Sequence, residues 1–385
     1  MIRNLNMNID SKVAIVCITE NGKSLACKIQ SLMDECEIYF VKNQKDQSKK
    51  YIFQIKQKLS LEDNNEKEVK VNIINNGLKA FIGEMFDKYD CIVFIMATGI
   101  VVRTISEYIS SKFSDPAILV IDERGKNVIS LLSGHIGGAN EMTIKISKLI
   151  NSNPVITTAT DINEKSSLDM IAKKLDGYIE NFRDCVKDIN TMLVDEKNIG
   201  IYIDGDYDVD TRGFNVLDNS KKFEDLYKEQ DLSNLEKIVI ISNKSSLECD
   251  LYEDKIINLI PRDIVVGIGC RRNIDSNHLK SSLEKFLYEN NIHKNAIKEI
   301  GSIDIKSDEQ GIIDLSIDLK VPFKTVSTEN ISQVDALFEK SDWVKQNVGV
   351  YSVAEPVAYI LSEGNLIIQK QKYEGITFSI GRAKI

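Results

Sequence analysis

The sequence predicts a multi-domain α/β fold, and three observations lead there. Apolar, β-branched runs alternate with stretches of helical periodicity along most of the chain, the pattern of a sheet covered by helices. Several of those runs are apolar throughout, as buried parallel strands are. At 385 residues the chain is too long for one ordinary core.

In chain order, 12–19 (KVAIVCIT) reads as a buried strand broken by Asn21 and Gly22, and 24–33 as a helix. Residues 37–41 form a second strand. Residues 42–70 are rich in Lys, Gln, Asn and Glu; YIFQI within them has strand character, and its flanks read as solvated loop. Regular alternation then resumes: a helix at 78–88, a strand at 91–96, the turn Ala97-Thr98-Gly99, and a helix to about Ser110. Strands follow at 116–121 and 128–132, a helix at 141–150 and a strand at 155–160. Between 161 and 261 the pattern is less regular, with helices at 167–174 and 182–192 and strands at 199–203 and 238–241. After Pro261 come a strand at 264–268, the turn Gly269-Cys270-Arg271-Arg272, and a helix at 276–288 capped by Asp275 or Ser276. Strands near 366–371 and 376–380 end the chain.

The expected architecture is an N-terminal, mainly parallel sheet with helices on both faces (1–162), a less regular α/β middle region (163–260) and a separate C-terminal α/β domain (261–385). The first ten residues are polar, and the longest apolar run, 91–102, is too short to span a bilayer. Seven cysteines, an odd number with no C-x-x-C, point to free thiols and a cytoplasmic location. None of the three histidines, His135, His278 and His293, stands at metal-ligand spacing from another His or Cys. A net charge of −9 argues against a nucleic-acid partner.

Lysine supplies 40 of the 49 basic residues, so the nine arginines carry information. Arg124, Arg212 and Arg382 each adjoin a glycine, Arg103 follows the TGI turn, and Arg271 and Arg272 follow GIGC. A guanidinium fork grips carboxylates bidentately, which an ammonium cannot do. Three segments share one design of apolar strand, glycine turn and helix: IVFIMATGIVVRT, VISLLSGHIGGANE and IVVGIGCRRN. Glycine admits a ligand to the backbone, and the helix start offers unpaired N–H groups to an anion. Neither GHIGGA nor GIGCRR is a dinucleotide or P-loop fingerprint, which speaks against a nucleotide-dependent oxidoreductase.

Together the motifs are more specific. LLSGHIGGANE, then VVGIGCRRN, then EIGSIDIKSDEQGIIDLSIDLKVPFKTVSTENI and SVAEPVA resemble, in that order, the cobalt-precorrin-5A hydrolase family of anaerobic cobalamin biosynthesis. Asn273 departs from the small residue usual there, and Asn tolerates positive φ. The resemblance implies a hydrolase acting on a carbon–carbon bond. It opens the δ-lactone of cobalt-precorrin-5A with water and releases acetaldehyde to leave cobalt-precorrin-5B. It further implies an anionic tetrapyrrole as the partner, no membrane, no added cofactor and no protein-held metal, the cobalt arriving in the substrate. A non-catalytic carrier of cobalt tetrapyrroles is the alternative, and a homo-oligomer is left open.

Lactone opening needs a base for water and donors for an oxyanion. His135 is the lead candidate for base or proton shuttle, against a structural loop histidine. Glu141 is a second candidate base, or a first-turn acid favoured by the helix dipole. Cys270 reads as a nucleophile at a helix N-terminus or as a small packing residue. The expected substrate-binding set is Thr98, Gly99, Arg103, Gly134, Gly137, Gly138, Asn140, Gly267, Gly269, Cys270, Arg271, Arg272, Lys306 and Glu355. Glu355 is equally the fourth residue of a Ser352-x-x-Glu capping box. Lys306, Asp308 and Glu309 either line the same cleft or simply form a polar turn, and Trp343 and the scattered aromatics read as core in preference to a tetrapyrrole platform.

Overall fold

A computed structural model describes residues 12–33, 36–41, 52–60, 66–74, 77–111, 114–158, 165–229, 232–247 and 253–385. The polar N-terminus, Cys249, and most of the loops expected around YIFQI lie outside the described residues, as does the predicted strand end at 159–160. The chain forms two compact units, Met1–Glu164 and Lys165–Ile385.

The first unit carries β1 (Val13–Cys17), β2 (Cys36–Val41), β3 (Ile52–Ser60), β4 (Glu66–Ile74), β5 (Cys91–Ile95), β6 (Ala117–Ile121), β7 (Asn127–Leu132) and β8 (Asn153–Val155). They form one eight-stranded sheet in the order β3-β4-β2-β1-β5-β6-β7-β8. All neighbours pair parallel except β3/β4 and β6/β7. One face buries Val13, Ile15 and Cys17 under the helices Glu20–Leu32 and Ala139–Ile150. The other buries Ala14, Val16 and Phe94 under Leu78–Lys88 and Thr98–Ile105. The fold class expected of this region is thus the one observed. Two local expectations are corrected. The segment read mostly as solvated loop contains the β3/β4 hairpin, because Val69, Val71 and Ile74 bury while the charged residues between them do not define a loop. The helix after Gly99 ends at Ile105, short of Ser110.

The second unit holds two sheets. β9 (Tyr178–Ile179), β10 (Ile199–Ile203), β11 (Asn215–Val216), β12 (Lys237–Ile241) and β13 (Ile256–Ile260) order as β11-β10-β12-β13-β9. β14 (Ile264–Cys270), β15 (Ile297–Ile303), β16 (Phe323–Val326), β17 (Leu366–Tyr373) and β18 (Ile376–Arg382) order as β16-β15-β14-β18-β17. In the latter, β14, β15 and β16 run parallel and β18 antiparallel to β14. Ile264, Val266 and Ile268 face a core shared with the helices Ser276–Glu289 and Gln310–Leu319. The opposite face carries the helix Ala354–Leu361. Among the described residues no helix is long and apolar enough to cross a membrane.

Candidate functional site

In the first unit the two glycine motifs stand at opposite edges of the sheet. β5 and β6 are parallel, so Thr98, Gly99 and Arg103 follow the carboxyl end of β5 at the Ile121 edge. β7 runs back against β6 with Leu132 opposite Ile118, which carries the His135 loop to the other edge. A five-residue strand separates the edges by about 16 Å. The two glycine motifs of this unit therefore stand at opposite ends of its strands.

At the first edge Ala97 provides no side-chain cap for the helix. Arg103 is exposed, and its guanidinium folds back over Gly99, 3.4 Å from where a Cβ would stand. An anion at this helix start would meet both.

At the other edge the loop 133–138 turns tightly. Ser133 has φ +58° and Gly138 φ +81°, the latter at the helix N-cap. The Gly138 N–H donates to the His135 carbonyl (2.9 Å), and the Ala139 N–H to the Ser133 carbonyl (3.1 Å). His135 is half-buried, and Glu141 is exposed one turn into the helix. Three expected ligands serve the loop itself. A Cβ at Gly137 would collide with the Ser133 Cβ and stand 2.6 Å from its carbonyl oxygen, so this glycine allows the loop to close on itself. A Cβ at Gly134 would stand 2.8 Å from Asn140 Oδ1. Asn140 is buried; its Oδ1 accepts from Ser130 Oγ (2.6 Å) and its Nδ2 donates to Thr158 Oγ1 (3.0 Å). It is a strut between β7 and the segment after β8. Ser133 Oγ and Thr143 Oγ1 are buried beside this loop without a hydrogen-bond partner, an uncommon condition in a folded interior.

In the second unit, β14, β15 and β16 bring three loops to one carboxyl edge: 271–275, 304–309 and 327–328. The helix Ala354–Leu361 lies across the sheet with its start over Gly269 and its end over Gly301. Its N-terminus thus joins the same edge, the location at which open α/β sheets bind ligands. Gly267 serves packing: a Cβ there would overlap the Ala354 carbonyl oxygen and stand 2.8 Å from Ala358 N. Gly269 likewise leaves room for Thr377 Oγ1 (2.5 Å) and the start of that helix.

Cys270 is the last residue of β14, not the start of a helix; that helix begins at Ser276, capped by Asp275, which accepts from His278 N (2.8 Å). Burial pushes its thiol up to about 11, with Lys306 opposing and Glu309 adding to the rise. The thiol stays protonated at neutral pH, which removes it as a ready nucleophile. Lys306 is also corrected. It is buried and its Nζ donates to Glu309 (2.9 Å), while Glu309 accepts from Ile274 N (3.0 Å) with its other oxygen. This pair ties the 304–309 loop to the turn after β14. Arg272 reinforces the tie, donating to Asp308 (2.6 Å) and to the Ile305 carbonyl (2.7 Å). Its hydrogen bond, and then its charge, hold the Asp308 carboxyl below its usual range. Asn273 takes φ +57° in this turn. Arg271, by contrast, is exposed along Gly375 and meets no carboxylate among the described residues. It is the cation this edge leaves available.

Glu355 does not close a capping box. Its Oε1 accepts from Lys370 N (3.1 Å), Lys370 Nζ stands 3.6 Å from Oε2, and Ser352 Oγ is buried without a partner. Two of the glycine-adjacent arginines are held by acids of the chain itself. Arg212 grips Asp210 through two nitrogens (3.0 and 2.7 Å). Arg382 Nε donates to the fully buried Asp263 (2.6 Å), which also accepts from Tyr207 (2.8 Å). A cavity of about 240 Å³ lies here, yet its cations are matched by Asp208, Asp263 and Glu363. Sequence reasoning missed Asp263 and Asp304, which pair with residues far along the chain and so leave no spacing to read. Among the described residues no group of three His, Cys, Asp or Glu side chains is placed to hold a metal.

Comparison with known proteins bears on all three regions. Residues 80–161 match the Cobalamin synthesis G N-terminal family, 166–251 the Cobalamin biosynthesis central region, and 264–381 the Cobalamin synthesis G C-terminus. The chain is 38% identical over 307 residues to the cobalt-precorrin-5A hydrolase of Salmonella typhimurium, covering 78% of this chain and 84% of that one. It is 25% identical over 369 residues to the cobalt-precorrin-5A hydrolase of Priestia megaterium, covering 95% and 94%. It is 30% identical over 301 residues to the probable cobalt-precorrin-5A hydrolase of Methanocaldococcus jannaschii, covering 75% and 84%. With its fold, its edge loops and all three matched regions in order, the chain belongs to the cobalt-precorrin-5A hydrolase family.

Proposed function

We propose that this protein hydrolyses cobalt-precorrin-5A, opening the δ-lactone with water and releasing acetaldehyde to give cobalt-precorrin-5B. The observation that carries this is the 38% identity to a cobalt-precorrin-5A hydrolase across 84% of that relative's length. The cobalt is part of the substrate, no further cofactor takes part, and the reaction belongs to the cytoplasm. Arg271 and the uncapped start of Ala354–Leu361 offer a fork and backbone N–H groups to the substrate's acid arms. Arg103 over the start of Thr98–Ile105 offers the same pairing in the first unit.

The chemistry needs a group that accepts a proton from water and returns one to the ring oxygen that leaves the acyl carbon. His135 fills that role, as a half-buried imidazole on a glycine loop. Glu141, exposed in the first helical turn, favours that helix start by charge and is the second candidate base. The purified protein, given cobalt-precorrin-5A anaerobically with nothing else added, releases acetaldehyde. Tight corrinoid binding with intact substrate and no acetaldehyde would favour the carrier reading instead.

A further inference from the structure

The sole tryptophan of the chain is not in the core. Trp343 is 62% exposed, on the short helix Asp342–Val348 within an excursion between the helices Thr328–Val334 and Ala354–Leu361. The excursion is tied to the carboxyl edge of β14–β16. Gly349 faces Thr328: a Cβ there would stand 3.7 Å from the Thr328 Cγ2. Thr328 donates through N and Oγ1 to Asp304 (3.1 and 2.9 Å), on the loop that Arg272 clasps. At its far end, Val353 and Ala354 border Gly269, two residues before Arg271.

The excursion carries an unusual combination. Tyr351 is flanked by two ammonium groups, Lys340 Nζ at 5.2 Å and Lys345 Nζ at 4.9 Å from its ring centre. Lys345 also donates to the Gly349 carbonyl (2.7 Å), and Lys340 meets no carboxylate among the described residues. Leu337 is 62% exposed on the same excursion, and Ile305 is 40% exposed on the clasped loop. Large exposed apolar groups grouped beside cations that make no ion pair among the described residues mark a surface that a ligand can cover. A protein partner of ordinary surface would match the apolar groups and not the cations. A flat ring edged with carboxylates matches both.

Resting on the hydrolase reading, we propose that Trp343 and Tyr351, with Lys340, Lys345 and Arg271, form the face on which the tetrapyrrole macrocycle lies. The ring system stacks on the Trp343 indole, and its acetate and propionate arms reach the surrounding cations. Trp343 thereby acts in substrate binding and not in the proton transfers.

Because there is one tryptophan, its fluorescence reports on this position alone. In the free protein the indole is open to a small neutral quencher such as acrylamide. Cobyrinic acid, a cobalt corrinoid with free acid arms, shields it on binding, and the quenching slope falls in the complex. Trp343→Ala raises KM for cobalt-precorrin-5A about tenfold with kcat nearly unchanged, and Trp343→Phe recovers most of that loss. Lys340→Ala raises KM and weakens its dependence on ionic strength. An unchanged quenching slope with corrinoid bound overturns the proposal, as does an unchanged KM in a folded Trp343→Ala protein. Shielding of the indole by protein concentration alone, without corrinoid, would assign the face to a second copy of the chain and equally overturn it. If the wild-type protein binds corrinoid but releases no acetaldehyde, the hydrolase reading fails while the quenching arm still decides this one.

Discussion

Replacing Gly267 by alanine separates a glycine that packs from a glycine that binds. The added methyl would overlap the Ala354 carbonyl oxygen and sit 2.8 Å from Ala358 N. Both neighbours are helix main chain, so no side chain can rotate away. Restoring ordinary contact requires the helix Ala354–Leu361 to lift by about 1 Å from the sheet, and a gap of that size forfeits a quarter to a half of each dispersion contact across it. Ala354, Val357 and Ala358 are all fully buried in that interface. Overpacking of this kind costs about 3 kcal/mol. For a unit the size of Lys165–Ile385 that lowers the melting temperature by roughly 6–12 °C in differential scanning calorimetry. Gly99→Ala is the internal contrast: its nearest neighbour is Arg103 Nη2 at 3.4 Å, and the site is helical. There alanine raises stability by about 0.5–1 kcal/mol while weakening substrate binding if an anion approaches that backbone. A Gly267→Ala protein that melts within a degree of the parent and loses substrate affinity would refute the packing argument.

Further outcomes are expected at single residues. Lys306→Met leaves the Glu309 carboxylate buried without its cation and costs about 3–5 kcal/mol in urea unfolding, so an unchanged midpoint would show that the pair is not buried in solution. Cys270, with its thiol raised to about 11, has about one thousandth as thiolate at pH 8, so iodoacetamide labelling is slow and climbs tenfold per pH unit above that; fast labelling at pH 7 would contradict it. Arg271→Lys keeps the fold and raises KM about tenfold through loss of the bidentate fork, checked by steady-state acetaldehyde release. His135→Ala lowers kcat by 10²–10⁴, as loss of a general acid–base group does, with the melting temperature held.

The repeating strand–helix order and the Asp275 cap of the Ser276–Glu289 helix were readable because they depend on local pattern. The direction of β7 was also readable in principle. Only residues 122–126 separate β6 from β7, with Gly125 at φ +65°, and a parallel crossover needs a dozen residues or more. That count would have placed the His135 loop at the opposite edge from Thr98. In the middle sheet β10 and β12 were readable, whereas β9 and β11 are two residues each, too short for periodicity. The glycines illustrate a different limit. Gly99 follows β5 and Gly267 lies within β14, yet one stands near a flexible guanidinium and the other against a helix backbone. What a missing Cβ would meet is a tertiary fact. The same holds for Lys306, whose charge suggested a ligand and whose burial beside Glu309 assigns it to the scaffold.

A single-turnover reaction with cobalt-precorrin-5A in oxygen-18 water, run anaerobically, tests water-driven lactone opening most directly. The product corrinoid is predicted to carry one heavy oxygen in the carboxylate derived from the lactone, with one acetaldehyde released per substrate. Recovery of bound, unlabelled cobalt-precorrin-5A with its lactone closed would contradict the account.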